Sequence, residues 1–245
     1  HYEKGRNTHG SGLPVMVRKK KKYVKTVYIK EKQEEATQEA EGLDGTIAAM
    51  APGLRRVVGQ YQYSRLPQIT GREVLVATDG SVKYHRGGAS VVISDGHGGK
   101  YVSVIPVDGH KDEMDSFRAE LVGVYSGLLV ISVMMEVERP NKDEVELTLW
   151  TDSQAVITAV NNMESELPWS IREALTKEFT LINGIRRLLN KLPNGIKIKW
   201  VEAHQKHMTT REEQLNDIAD RLAKLQHKVL GRWKSRSRPL PFPDQ

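Results

Sequence analysis

The chain has 245 residues, a formal net charge of +6 and no cysteine. The missing cysteine excludes a disulfide scaffold, a thiol nucleophile and a cysteine-ligated zinc site. That length allows one or two domains with a substantial core. No signal peptide is legible, and the strongest apolar run, Leu121 to Val137, is interrupted by Ser and Gly, so no membrane span is expected. The lack of cysteine fits a reducing compartment, and an intracellular location, nuclear or cytoplasmic, is the expectation. Opening on His1 rather than Met fits a segment of a longer polypeptide, or an artificial boundary.

The charge is unevenly placed. Residues 1–70 hold 13 Lys/Arg against 7 Asp/Glu, residues 71–223 hold 18 against 23, and residues 224–245 hold 6 against 1. Basic ends flanking an acidic middle commonly meet phosphate backbones without reading sequence. Lys19, Lys20, Lys21 and Lys22, with Arg232, Lys234 and Arg236, are the phosphate-contact candidates. The bland alternative for both groups is a solvated or localisation role.

Along the chain, residues 1–70 lack sustained periodicity. A short strand within Lys20–Lys30 and an exposed helix over Glu31–Glu41 are possible in what reads as a basic, weakly folded or extended arm. From Glu73 the pattern sharpens. Apolar β-rich runs at Glu73–Ala77, Ala89–Ser94 and Lys100–Val107, separated by short turns, predict an antiparallel meander. Phe117, Leu121, Val124, Leu128 and Ile131 predict a helix from Ser116 to about Val137. Val145–Trp150 predicts a fourth strand, followed by a helix from Ser153 and a longer one over Ile171–Leu192. Pro193-Asn194-Gly195 ends that helix before a fifth strand, Ile196–Val201. A last helix, from about Thr210 to Leu230, opens on a Thr210/Glu213 capping-box pattern. This order predicts an α/β fold with a five-stranded mixed sheet, three strands antiparallel and two added by helical crossovers. The domain expectation is an arm over 1–70, a catalytic domain over 71–230 and a basic, Pro-containing tail over 231–245.

Four acidic residues stand in distinctive settings: Asp79 in V-L-V-A-T-D-G-S, Glu120 in S-F-R-A-E-L, Asp152 in L-T-L-W-T-D-S-Q and Asp220 in N-D-I-A-D-R-L-A. Gathered by a fold, they make a negative patch that calls for a divalent cation. Oxygen-only ligands favour Mg²⁺ or Mn²⁺ over Zn²⁺. Two such ions roughly 4 Å apart clamp the attacking and leaving oxygens of a phosphodiester. The residues therefore point to a metal-dependent nuclease.

The element order and these four motifs together resemble the type 1 ribonuclease H family over roughly residues 71–230. The S-F-R-A-E-L wording is closest in style to the ribonuclease H domains of retroelement reverse transcriptases. The resemblance implies an endoribonuclease that cleaves the RNA strand of RNA/DNA hybrids with two Mg²⁺ ions, Mn²⁺ being the substitute, and leaves 5′-phosphate and 3′-hydroxyl ends. It implies that Asp79, Glu120, Asp152 and Asp220 hold the metal, with Asp217 as a rival for the last position. His204 matches the family's mobile-loop histidine, with His207 its nearest competitor. Gly80, Ser81, Ser116, Gln154 and Asn216 match substrate-contacting positions. The implied partners are the hybrid and a polymerase domain or ribonucleoprotein. One departure stands out: the stretch Asn161–Lys177, where some relatives carry a basic protrusion that grips DNA, is not basic here. The alternative reading is an inactive ribonuclease H-like binding or structural module, and a third is another metal nuclease of the wider superfamily acting on DNA.

Overall fold

A computed structural model describes residues 41–69, 73–111, 113–141, 144–161, 177–193, 196–203 and 207–229. The chain divides into two units, His1–Glu41 and Gly42–Gln245, and the second holds the sheet. After helices α1 (41–49) and α2 (Pro52–Val58) come β1 (Gln60–Arg65), β2 (Glu73–Lys83), β3 (Arg86–Ser94) and β4 (Lys100–Val107). Helix α3 (Ser116–Glu138), β5 (Glu146–Thr151), α4 (Gln154–Asn161), α5 (Phe179–Lys191), β6 (Ile196–Trp200) and α6 (Arg211–Val229) complete the described elements.

The strands lie in the order β1-β4-β3-β2-β5-β6. Neighbours from β1 to β2 pair antiparallel, and β5 and β6 join in parallel. Central β2 and β3 are buried almost continuously, as expected of strands covered on both faces, whereas β4 alternates. Helix α3 covers one face. Its first turn is capped by Asp115, whose carboxylate accepts the Arg118 N–H at 2.9 Å. On length and hydropathy α3 could cross a membrane, but 78% of its apolar window is buried inside the fold, as in a core helix. On the opposite face, Leu215 and Ala219 of α6 pack on Leu75, Ala77 and Val92. The predicted capping box opens α6: Glu213 accepts the Thr210 N–H at 3.0 Å and returns its own N–H to the Thr210 hydroxyl at 3.3 Å.

The structure differs from the sequence expectation in three places. The sheet has six strands, because β1 pairs with β4 from Gln60 to Arg65. The described part of the expected arm, residues 41–69, is therefore folded, and it buries Leu43, Ile47, Val57, Val58, Leu66 and Ile69. Tyr61 and Tyr63 on β1 both donate their hydroxyls to Asp44 of α1, at 2.9 and 2.8 Å, and Tyr61 stacks on Tyr101 of β4. Third, the strand expected to end at Ala77 runs on to Lys83, so Asp79 lies inside it. The expected elements within residues 1–40, the start of the Ile171 helix and the 231–245 tail lie outside the described residues.

Buried Asp95, in the β3–β4 connection, fastens the N-terminal segment to the sheet. Its carboxylate accepts the N–H groups of His97 (2.8 Å), Gly99 (2.9 Å) and Gln68 (3.2 Å) and pairs with Arg65 at 3.0 Å. Burial alone raises the pKa of this group, but the three backbone donors and the Arg65 charge outweigh it and hold the pKa below the ordinary value. A depressed folded pKa contributes stability that is present above the unfolded value, near 4, and is lost as pH falls through the folded one. Asp95→Ala is expected to destabilise the fold by about 2–4 kcal/mol at neutral pH, and by less in acid, in denaturant unfolding followed by circular dichroism.

Candidate active site

Strand register sets the first two carboxylates side by side. Ala77 and Trp150 are the last pair of the parallel β2–β5 ladder. Two residues further along each chain come Asp79 and Asp152, which a two-residue repeat turns to the same face as Ala77 and Trp150. The indole N–H of Trp200, on β6, donates to the Asp152 carbonyl at 3.2 Å and fixes the end of β5.

Glu120 arrives from α3, and its approach depends on Gly80. A Cβ at residue 80 would sit 2.3 Å from the Glu120 nitrogen and 2.4 Å from the Ala119 carbonyl carbon. Gly80 therefore serves helix–strand contact, not the turn that an Asp-Gly pair alone signals. The first turn of α3 is also braced from outside. Arg118 grips Glu178 with two bonds of 2.9 and 2.7 Å and donates to the Asp108 carbonyl at 2.8 Å. Both members of that pair are nearly buried, at 12% and 6% side-chain exposure. Glu178 itself opens α5 in the left-handed region, at φ 61°, unusual for a non-glycine residue.

Asp79, Glu120 and Asp152 each offer a carboxylate oxygen within 4.8 Å of the others. Asp79 is 4% and Glu120 7% exposed. Burial first, then the Asp152 and Asp220 charges, push Asp79 up to about 8, against the weaker opposing pull of Lys224 and the Gly80 N–H. Glu120 is pushed up to about 10 by burial and the Asp79 and Asp152 charges. Asp79 Oδ2 and Glu120 Oε2 are buried without a hydrogen-bond partner among the described residues. Orphaned carboxyl oxygens converging at this distance fit a hard divalent cation, whose positive charge would favour their ionised form.

Asp220 is not one of the three converging residues. It lies on α6 at the rim, paired with Lys224 at 2.5 Å, close enough to raise the pKa of Asp79 and Glu120. It lines a cleft with Asp152, Glu202, Met208, Glu213, Asn216 and Asp217. Its rival Asp217 pairs with Arg221 one turn on, and the field of Asp220, not Asp217, reaches the triad. Asn216 is 3% exposed, with its Oδ1 unpartnered among the described residues. Of the other expected contact positions, Gly80 and Ser81 continue β2 past Asp79, Gln154 opens α4 and Ser116 opens α3. Gln154 and Ser116 are exposed. His204, Lys19–Lys22, Arg232, Lys234 and Arg236 lie outside the described residues, and His207 is exposed. Sequence reasoning missed Glu202 in the cleft, the Trp200 bond to Asp152 and the Arg118–Glu178 brace.

A mixed sheet of this order with a buried carboxylate triad at its centre defines a ribonuclease H-like domain. The chain belongs to the ribonuclease H family, whose model, RNase H, matches residues 71–228. No curated protein matches. Among solved structures, the chain is similar to RNase H1 from the halophilic archaeon Halobacterium salinarum NRC-1, at 16% identity and a TM-score of 0.42, over 64% of this chain and 98% of that one. It is similar to LC11-RNase H1, in complex with an RNA/DNA hybrid, at 15% identity and a TM-score of 0.45, over 64% and 99%. A prototype foamy virus protease–reverse transcriptase is similar at 19% identity and a TM-score of 0.45, over 68% of this chain and 22% of that one.

Two outcomes follow from this geometry. Carboxylates whose folded pKa is raised contribute stability that is full below the unfolded pKa, near 4, and is lost as pH rises through the folded value, about 8 for Asp79. In chelator, the melting temperature should therefore fall by at least ~5 °C between mildly acid and mildly alkaline pH, at about 3 °C per kcal/mol. Mg²⁺ or Asp79→Asn should flatten that slope in thermal melts. Separately, Arg118→Met leaves Glu178 buried and unpaired and should cost about 3–5 kcal/mol, whereas Arg118→Met with Glu178→Leu should recover most of it in denaturant unfolding.

Proposed function

We propose that this chain is an endoribonuclease that hydrolyses the RNA strand of RNA/DNA hybrids with divalent-metal assistance, as the ribonuclease H part of a retroelement reverse transcriptase. The observation that carries the reading is the convergence of buried Asp79 and Glu120, each with one oxygen unpartnered among the described residues, on half-buried Asp152, in a chain of the ribonuclease H family.

Asp79 and Asp152, adjacent across the strands, would hold Mg²⁺ or Mn²⁺ between them, with Glu120 completing the set from α3 and Asp220 adding a ligand from the rim. Such ions, two in this reading, supply the Lewis acidity that activates water and stabilises the leaving 3′-oxygen, giving 5′-phosphate and 3′-hydroxyl ends. The residues keep that chemistry dry and oriented. Gly80 lets the α3 backbone press against β2, the Arg118–Glu178 pair holds the helix there, and Trp200 fixes the backbone of Asp152. Ser81, Ser116, Gln154 and Asn216, on the elements that carry the carboxylates or next to them, are the short polar groups that would read a 2′-hydroxyl in a shallow minor groove. His204 is assigned proton transfer or product release. The acidic cleft and the non-basic Asn161–Lys177 stretch leave a need for cations elsewhere, and a polymerase domain is the proposed partner.

The test is cleavage of a 5′-labelled RNA/DNA hybrid with Mg²⁺ and with Mn²⁺, beside single-stranded RNA and duplex DNA. Cutting confined to the RNA of the hybrid is expected, abolished by chelator and lowered roughly 10²–10³-fold or more by Asp152→Asn. Tight hybrid binding by the folded chain without any cutting would replace this reading with the inactive module, and cutting of duplex DNA would replace it with a DNA nuclease.

A further inference from the structure

β6 closes the sheet on the side of the active site, and its exposed residues are cationic. Lys197 pairs in register with Thr148, Lys199 with Trp150 and Trp200 with Thr151. Alternation therefore puts Lys197 and Lys199 on the face that carries Trp150 and, past the end of β5, Asp152. The Lys199 ammonium lies over the Trp150 ring, 5.4 Å from its centroid, as that placement requires. Both lysines are exposed, and neither forms an ion pair with a described carboxylate. Trp200, next along, is 49% exposed.

The surrounding charge makes these two lysines unusual. The cleft beside them carries the carboxylates of Asp152, Glu202, Glu213, Asp217 and Asp220. Residues 179–201 hold five Lys/Arg and no Asp/Glu, within a region that is otherwise net acidic. A metal held by the triad would offset the charge of the phosphate being cut, but the flanking phosphates of the same strand would face the acidic cleft unless protein cations stand next to it. Lys197 and Lys199 stand there, about 7 Å apart along the edge.

From this arrangement we infer that the outer edge of β6 is a phosphate rail. Lys197 and Lys199 hold the backbone of the bound nucleic acid beside the carboxylates, in place of a basic protrusion. The inference rests on the proposed hybrid substrate for the identity of that strand. A lysine on an edge strand also discourages pairing with other chains, but that role needs no particular face and leaves nucleic-acid affinity unchanged.

The experiment is fluorescence anisotropy of a labelled RNA/DNA hybrid with the full chain in chelator, from about 50 to 200 mM salt. Wild type is compared with Lys197→Gln/Lys199→Gln and Lys197→Arg/Lys199→Arg, and KM and kcat are measured with Mg²⁺. The Gln pair should reduce the slope of log K against log salt by about 1.8, two phosphate contacts' worth, and raise KM about tenfold. Its kcat and melting temperature should match wild type, and the Arg pair should bind as wild type does. A Gln pair with wild-type slope and KM overturns the rail while hybrid cutting by the wild type leaves the function standing. If the wild type cuts no hybrid but the Gln pair still lowers the slope, the rail stands and the hybrid-cutting function falls.

Discussion

Like charges held together out of water are the constraint on which this architecture turns. Asp79, Glu120 and Asp152 converge within 4.8 Å, two of them almost wholly buried; burial, with the neighbouring carboxylate charges, raises the cost of ionising Asp79 and Glu120. Nothing in the triad holds itself in place. The β2–β5 register fixes two of its members, and the closeness of α3 to β2 fixes the third. Packing elsewhere must therefore hold the repulsion in check: α3 buried along most of its length on one face, and α6 seated on Leu75, Ala77 and Val92 on the other. The same strain is relieved by protonation, and at higher pH it calls for a compact cation.

Around that centre, charge is sorted by depth. The deepest carboxylates, Asp79 and Glu120, lack a cationic partner among the described residues, whereas those at the rim have one: Asp220 with Lys224, Asp217 with Arg221. The ion pair that braces α3 is buried, out of reach of solvent competition. Lys197 and Lys199, on edge strand β6, form no ion pair among the described residues. A polyanion drawn to that edge would meet increasing negative charge as it approached the triad, so in the proposed reading binding and catalysis would rest on different groups. In a protein with an acidic catalytic region, this separation allows one surface to supply attraction and another to supply chemistry.

Much of this was legible in the sequence, for identifiable reasons. The alternation of β4, the 3.6-residue periodicity of α3 and the Thr210/Glu213 cap are local signals, and the structure reproduces them. The carboxylates were legible because each sits in a distinctive short motif. What escaped depends on contacts distant in the chain. The polar, tyrosine-bearing β1 reads as loop, since its partners are Asp44 and the β4 ladder. Asp79-Gly80 alone reads as a turn, because only the arrival of α3 explains a glycine inside a strand. Arg118 and Glu178 lie 60 residues apart, with no pattern linking them. The lysines of β6 read as solvated charge until the register shows which face they share with Asp152.

The pairing of β1 with β4 changes where this protein can be divided. The family match begins at residue 71, yet six apolar residues of the core and an entire strand lie before it. A fragment cut at the family boundary would expose the hydrogen-bonding edge of β4, whose Tyr101 would lose the ring stacked on it. Such an open edge is a template for pairing with other chains. The smallest self-contained folded unit among the described residues therefore includes α1, α2 and β1, and residues 42–69 act as a built-in guard of the β4 edge against self-association.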